Sequence, residues 1–275
     1  MKKIIVPVDF SDTSKNAVRY AAKMADVLKA SITIVNVFDP GVGGSDGTPL
    51  SGAADGMKKI TEIAMENITA SVSEINPSLP VTYIVDESKS LSDSLEKIVL
   101  EEHGELIVMG ITGSSLAERT VMGSNTIKIV HRNICPVIIV PPFAQYKEIT
   151  RILFATDFKN VDENTPLQYI KEIMDVFQPE LYVVNVDNEN TTELSDDYKL
   201  QRAKMDNLLS GYQTSFHFIR QDDFNEAISQ FAADNNIDLI LIVPRKHTFL
   251  STLFSSSHTR NLAYHSHVPI LAIHE

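Results

Sequence analysis

The chain has 275 residues, 43% of them hydrophobic, and its 24 lysines and arginines against 36 aspartates and glutamates give a formal net charge of −12. That is enough material for one large domain or two ordinary ones, and the acidic balance argues against nucleic acid or an anionic membrane surface as a partner. Apolar runs such as residues 4–8 and 239–243 are far shorter than the ~20 residues of a spanning helix. The apolar stretch after Lys2 and Lys3 meets Asp9 too soon for a secretory signal, so a cytoplasmic location is expected. The single cysteine, Cys135, lies between Ile134 and Pro136 and reads as a core residue.

The pattern in chain order is strand and helix in alternation. Residues 3–8 form a β-rich run, followed by a helical pattern with Ala17, Tyr20, Ala21, Met24 and Leu28 on one face. Residues 31–37 read as a second strand. A mobile Gly/Ser/Pro-rich loop from 39 to about 54 then leads into a helix through Ile60, Ile63 and Ile68. A strand over 81–85, a helix with Leu91, Leu95, Ile98 and Val99 on one side, and a buried strand over 106–109 follow. After a glycine-bearing loop, a last helix starts near Ser124 and residues 136–140 close the unit as a fifth strand. Such alternation predicts a parallel sheet covered on both faces.

Pro141, Pro142 and the polar stretch to Thr150 read as a linker, after which the order recurs. Residues 4–9 match 152–157, each ending on an aspartate, and both halves carry Val-Asn-Val, ending at Val37 and Val186. The chain is therefore read as a duplication, with domains at 1–143 and 150–275. Aligning Pro136 with Pro269 needs no gap back to Glu105 and Asp238, so the two loops can be compared residue by residue.

In the first half the spacing after Met109 is Gly110, two residues, Gly113, nine residues, Gly123, then Ser124. Glycine reaches φ > 0 and lacks the Cβ that would keep a phosphate from backbone N–H groups. A helix opening at Gly123-Ser124 would also offer free N–H groups and a favourable dipole to an anion. In a doubly wound sheet, ligands bind beyond the carboxyl ends of strands where neighbouring connections diverge, which here are the ends marked by Asp9 and Gly110. Asp9 can also be read, with Ser11 and Asp12, as no more than a helix cap.

On this loop and strand-end aspartate the chain resembles the universal stress protein family, in its tandem two-domain form. The resemblance implies an α/β architecture of two tandem doubly wound, parallel five-stranded sheets, Rossmann-like and akin to the adenine nucleotide alpha hydrolases. For the ATP-binding branch it implies adenine and ribose contacts from Pro7, Val8, Asp9, Val37 and Met109. Phosphate contacts would come from Gly110, Gly113, Gly123, Ser124 and the Asn125 backbone, with Mg²⁺ accompanying ATP. It further implies that the two domains pair through their last strands, 137–140 and 270–273, as an internal pseudo-dimer; a homodimer of chains is also open.

In the second half Gly110, Gly113 and Gly123 correspond to Val243, Lys246 and Ser256, and Phe249, Leu250, Leu253 and Phe254 add apolar bulk, so ordinary nucleotide binding is not expected there. Arg245 and Lys246 read as solvated cations, and His265, His267 and His274 lack the cysteine or acidic neighbours of a metal site. The reading is an ATP-binding stress-response module acting through the first domain. The alternatives are a slow ATP hydrolase or phosphotransferase, for which Asp12 and Glu118 are the nearby carboxylates, and a nucleotide-independent dimerisation scaffold.

Overall fold

The structure is a computed structural model that describes residues 2–39, 41, 53–111, 123–187, 196–244 and 268–274. It divides into two compact units, Met1–Tyr146 and Lys147–Glu275. The loop expected over 39–54, the glycine loop over 112–122 and the second-half loop residues 245–267 lie largely or wholly outside the described residues.

In the first unit the strands are β1 (Lys3–Pro7), β2 (Ser31–Phe38), β3 (Val81–Glu87), β4 (Leu106–Gly110) and β5 (Val137–Val140), and the helices are α1 (Asp12–Leu28), α2 (Ala53–Ile75), α3 (Leu91–Glu101) and α4 (Ser124–His131). The strands pair in the order β3-β2-β1-β4-β5, all parallel. Parallel strands buried on both faces read as near-continuous apolar runs, and β4 and β5 are buried along their whole length. Because the order reverses direction at β1, the connections on either side of it diverge, and β1 and β4 lie side by side at that switch point.

Helix α1 buries Ala17, Tyr20, Ala21 and Met24 as its periodicity predicts. Helix α2 departs from expectation: Ile60 and Ile63 are exposed, while Met65, Ile68 and Val72 are buried. Its C-terminal half supplies the buried apolar residues, whereas its N-terminal part meets β3 through the surface ion pair of Lys58 with Glu87 (3.5 Å), so only the later part of its apolar stripe is covered. The thiol of Cys135 is buried and free, and burial pushes its pKa up to about 12, which suits a core residue. The first part of the expected linker is held down: Asn16 Nδ2 donates to the carbonyls of Pro141 (3.1 Å) and Ala144 (2.9 Å), and Tyr146 meets Tyr20 edge-on at 5.3 Å.

The second unit contains β6 (Arg151–Ala155), α5 (Val161–Asn164), α6 (Leu167–Phe177), β7 (Glu180–Asp187), α7 (Asp196–Leu208), β8 (Thr214–Arg220), α8 (Phe224–Asp234), β9 (Leu239–Ile242) and β10 (Ile270–Ala272). Its strands run β10-β9-β6-β7-β8, again all parallel. The difference is in the first helix. Where the first unit has one 17-residue helix, the second has the four-residue α5, then Thr165 and Pro166, then α6. Proline has no N–H and clashes with the preceding turn, which breaks the helix at that point.

The shared Val-Asn-Val has a structural explanation. Asn36 Nδ2 donates to the Val8 carbonyl at 2.8 Å and Asn185 Nδ2 donates to the Thr156 carbonyl at 2.9 Å. In each unit a buried asparagine on the second strand thus ties down the backbone leaving the first. The residue preceding β4 or β9 has a parallel duty. Glu105 accepts from the Lys2 N–H at 2.9 Å. Asp238 accepts from the Thr150 N–H and hydroxyl, both at 2.9 Å, and from the Arg151 N–H at 3.0 Å.

Candidate functional site

The backbone leaves β1 through Val8 and Asp9, then turns sharply at Phe10, whose φ is 65°. For a bulky L-residue the left-handed region costs about 1–2 kcal/mol, and this kink sends the chain into α1. Asp9 Oδ1 accepts from the Ser11 N–H at 3.1 Å and from the Ser11 hydroxyl at 2.6 Å. The cap of α1 is Ser11, whose Oγ accepts from the Ser14 N–H at 3.2 Å, so the capping role open to Asp9 on sequence belongs to its neighbour. Asp9 is exposed.

Around that turn lies a cleft of about 170 Å³ among the described residues. Its walls hold Pro7, Val8 and Asp9 from the end of β1, Val37 from β2, and Met109 and Gly110 from β4. The start of α4 adds Gly123, Ser124 and Asn125. The remaining sequence-predicted residue, Gly113, is outside the described residues, as is Glu118.

The glycines act differently from expectation. The only described glycine with positive φ is Gly211, so neither Gly110 nor Gly123 is needed for a left-handed backbone. A Cβ on Gly110 would stand 2.7 Å from Thr13 Cγ2 and 3.1 Å from the Thr13 backbone, so the missing side chain lets the start of α1 lie directly on the end of β4. Gly123, at φ −58° and ψ 141°, is the N-cap of α4 and supplies no side chain to cap it. The first N–H groups of a helix have no intrahelical acceptor, and here they open on the cleft under the positive end of the helix dipole.

Three further cleft residues, Ser14, Leu91 and Thr126, escaped the sequence reading. All are in the first turns of helices, α1, α3 and α4, and none belongs to a spaced motif. The available signal was topological: helices that start beyond the carboxyl ends of the strands present their first turns there. Thr126 Oγ1 donates to the Gly110 carbonyl at 3.3 Å, fastening α4 to the end of β4.

In the second unit the counterpart of Gly110 is Val243, just past the end of β9, and the helix start that Gly110 admits in the first unit is replaced by the short α5. Lys246, Ser256 and the apolar loop residues there lie outside the described residues, as do His265 and His267. No group of three or more His, Cys, Asp or Glu side chains suited to a metal ion occurs among the described residues. Among them, too, no helix is long and apolar enough to cross a membrane.

The family model described as the Universal stress protein family matches residues 1–141 and, a second time, residues 148–274. The chain belongs to the universal stress protein family, as a tandem pair of its domains. A universal stress protein of Methanocaldococcus jannaschii is 27% identical over 151 residues, covering 50% of this chain and 81% of the relative. One from Synechocystis is 24% identical over 140 residues, covering 51% and 85%. Among solved structures, a universal stress protein from Archaeoglobus fulgidus superposes with a TM-score of 0.69 at 18% identity, covering 99% of this chain and 96% of that one. A second, from Pseudomonas aeruginosa, gives 0.59 at 14% identity over 100% and 93%. Both likenesses span the tandem fold from end to end.

Proposed function

We propose that the first unit binds an adenine nucleotide, ATP with Mg²⁺ as its counter-ion, and that the protein acts as a stress-response regulatory module whose state depends on that occupancy. The observation that carries this reading is the meeting, in one cleft, of an exposed aspartate at the end of β1 with a helix start whose N-cap, Gly123, brings no capping side chain. Adenine and ribose would contact Pro7, Val8, Asp9, Val37 and Met109, and phosphates would turn toward Gly110, Gly123, Ser124 and the Asn125 N–H. The described walls bound about 170 Å³, below the ~300 Å³ at which ligand pockets usually begin, so the nucleotide would extend past them; Gly113 is the residue expected to meet it there.

Binding is favoured over turnover. Hydrolysis needs a group that orients water or takes its proton beside the phosphates; of the two candidate carboxylates, Asp12 in the first turn of α1 is not among the residues lining the cleft, and Glu118, outside the described residues, is tested by Glu118→Gln, which should leave any slow turnover unchanged. The pairing of the two domains as a pseudo-dimer belongs to the same proposal. Isothermal titration of nucleotide-free protein with Mg·ATP tests it. One site per chain is expected, lost in Gly113→Arg and in Gly123→Val; the latter position has a backbone conformation that any L-residue adopts. Failure of ATP to bind from micromolar to millimolar concentration would leave the scaffold reading in its place.

A further inference from the structure

A second concavity, of about 380 Å³, lies in the first unit between α1 and α2 and shares no lining residue with the cleft at the end of β1. Its floor is apolar: Phe10 and Val18 from one side, Ala64 and Ile68 from the other. Its rim carries Lys15 and Arg19, one turn apart on α1, and neither makes an ion pair among the described residues. Asn67, on the α2 side, likewise has no side-chain hydrogen bond there.

The same seam in the second unit is closed. The residue matching Phe10 is Phe158, also left-handed at φ 51°, but it is 2% exposed and its ring packs edge-on against Tyr198 of α7 at 5.0 Å. The Val161 N–H donates to Gln201 Oε1 at 3.0 Å, and Lys204 pairs with Asp162, so α7 is tied to α5 by a hydrogen bond and an ion pair. Among the described residues of the first unit these closures have no counterpart: Phe10 borders the concavity, and Lys15 and Arg19 make no ion pair there. A seam that its own duplicate fills with an aromatic ring and a salt bridge is, in the first unit, shaped for something that brings both an apolar body and a negative charge.

We propose that the groove between α1 and α2 binds a small apolar carboxylate, its hydrocarbon part against Phe10, Val18, Ala64 and Ile68 and its carboxylate held by Arg19 and Lys15. Arginine matches a carboxylate with two parallel N–H bonds, and lysine adds a point charge one turn away. The volume falls within the range of small-molecule pockets. An inorganic anion would leave the apolar floor wet, and an uncharged hydrocarbon would leave the cation pair unanswered. The assignment does not depend on the nucleotide cleft.

The test is titration of the full chain with decanoate, without nucleotide, against decanol and inorganic phosphate, followed by ¹H–¹⁵N chemical shifts and calorimetry. Decanoate is expected to bind at least tenfold more tightly than decanol, with phosphate silent and the largest shifts at Val18, Ala64 and Ile68. Lys15→Glu combined with Arg19→Glu, both exposed and therefore tolerated by the fold, should abolish the preference. Ala64→Phe should weaken both amphiphiles by filling the groove. Decanol binding as tightly as decanoate, indifference to the charge reversal, shifts centred elsewhere, or no binding at millimolar decanoate would each overturn the assignment.

Discussion

Gly110→Ala is the sharpest perturbation of the first unit, because one methyl group meets a named neighbour. The new Cβ would stand 2.7 Å from Thr13 Cγ2 and 3.1 Å from the Thr13 backbone carbon and oxygen. Carbon atoms rest about 3.5–4.0 Å apart, so the start of α1 has to retreat from β4 by roughly 1 Å. Overpacking of this kind costs about 1–3 kcal/mol, and we expect about 2 kcal/mol here. Since α1 and β4 both wall the cleft, nucleotide binding should weaken as well. Thr13→Ser removes the nearest of the clashing atoms and leaves the backbone contacts, so it should restore about half of the loss when combined with Gly110→Ala, a coupling of about 1 kcal/mol. Urea unfolding of the full chain followed by circular dichroism measures the cost, and amide exchange over residues 106–110 assigns it to the first unit. A Gly110→Ala protein within about 0.5 kcal/mol of wild type, or one indifferent to Thr13→Ser, would refute the reasoning.

Asn36→Ala removes the buried link to the Val8 carbonyl and should cost about 1–2 kcal/mol; Asn185→Ala should cost a similar amount, but only the former should weaken ATP in calorimetry. Asp238 is buried, which opposes its ionisation, yet hydrogen bonds from Lys147, Thr150 and Arg151 together hold its carboxyl below the usual range. A lowered acid pKa gives stability that is present above the unfolded value, near 3.9, and is lost as pH falls through the folded one. Asp238→Ala should therefore destabilise the second unit at neutral pH by about 3 kcal/mol and flatten its acid limb in urea titrations. Burial also lowers the pKa of His217, which packs between Tyr182 and Phe231. Its contribution is complete above the unfolded value near 6.5 and declines as pH falls below it, so His217→Phe should remove the upper part of that limb. Cys135, with its pKa near 12, should react with a disulfide reagent in the native protein only as fast as the chain opens, and a rapid native-state reaction would contradict its place in the core.

Most of the strand and helix order was legible, because a parallel sheet writes its strands as short apolar runs and its helices as apolar positions at a 3.6-residue period. Nine of the ten residues expected around a ligand line one cleft, since spaced glycines and a strand-end aspartate are local signals that topology then brings together. What a period cannot convey is how far a helix reaches over its sheet, which is why Ile60 and Ile63 were placed with the apolar face of α2 and stand exposed. The break between α5 and α6 was written in Pro166, but the similarity of the halves concealed it. The function of Gly110 was hidden for a different reason: it depends on Thr13, almost a hundred residues earlier in the chain, and no local pattern connects them.

Phe10 and Phe158 each follow an aspartate at the end of a first strand, and each holds the left-handed conformation that glycine would adopt without strain. One unit keeps the spaced glycines and the other does not, yet both keep this kink. The kink therefore does not depend on the glycine loop. The turn out of the first strand thus tolerates two surroundings: beside Phe10 it borders a groove between α1 and α2, and beside Phe158 the same bend is covered by the Tyr198 ring.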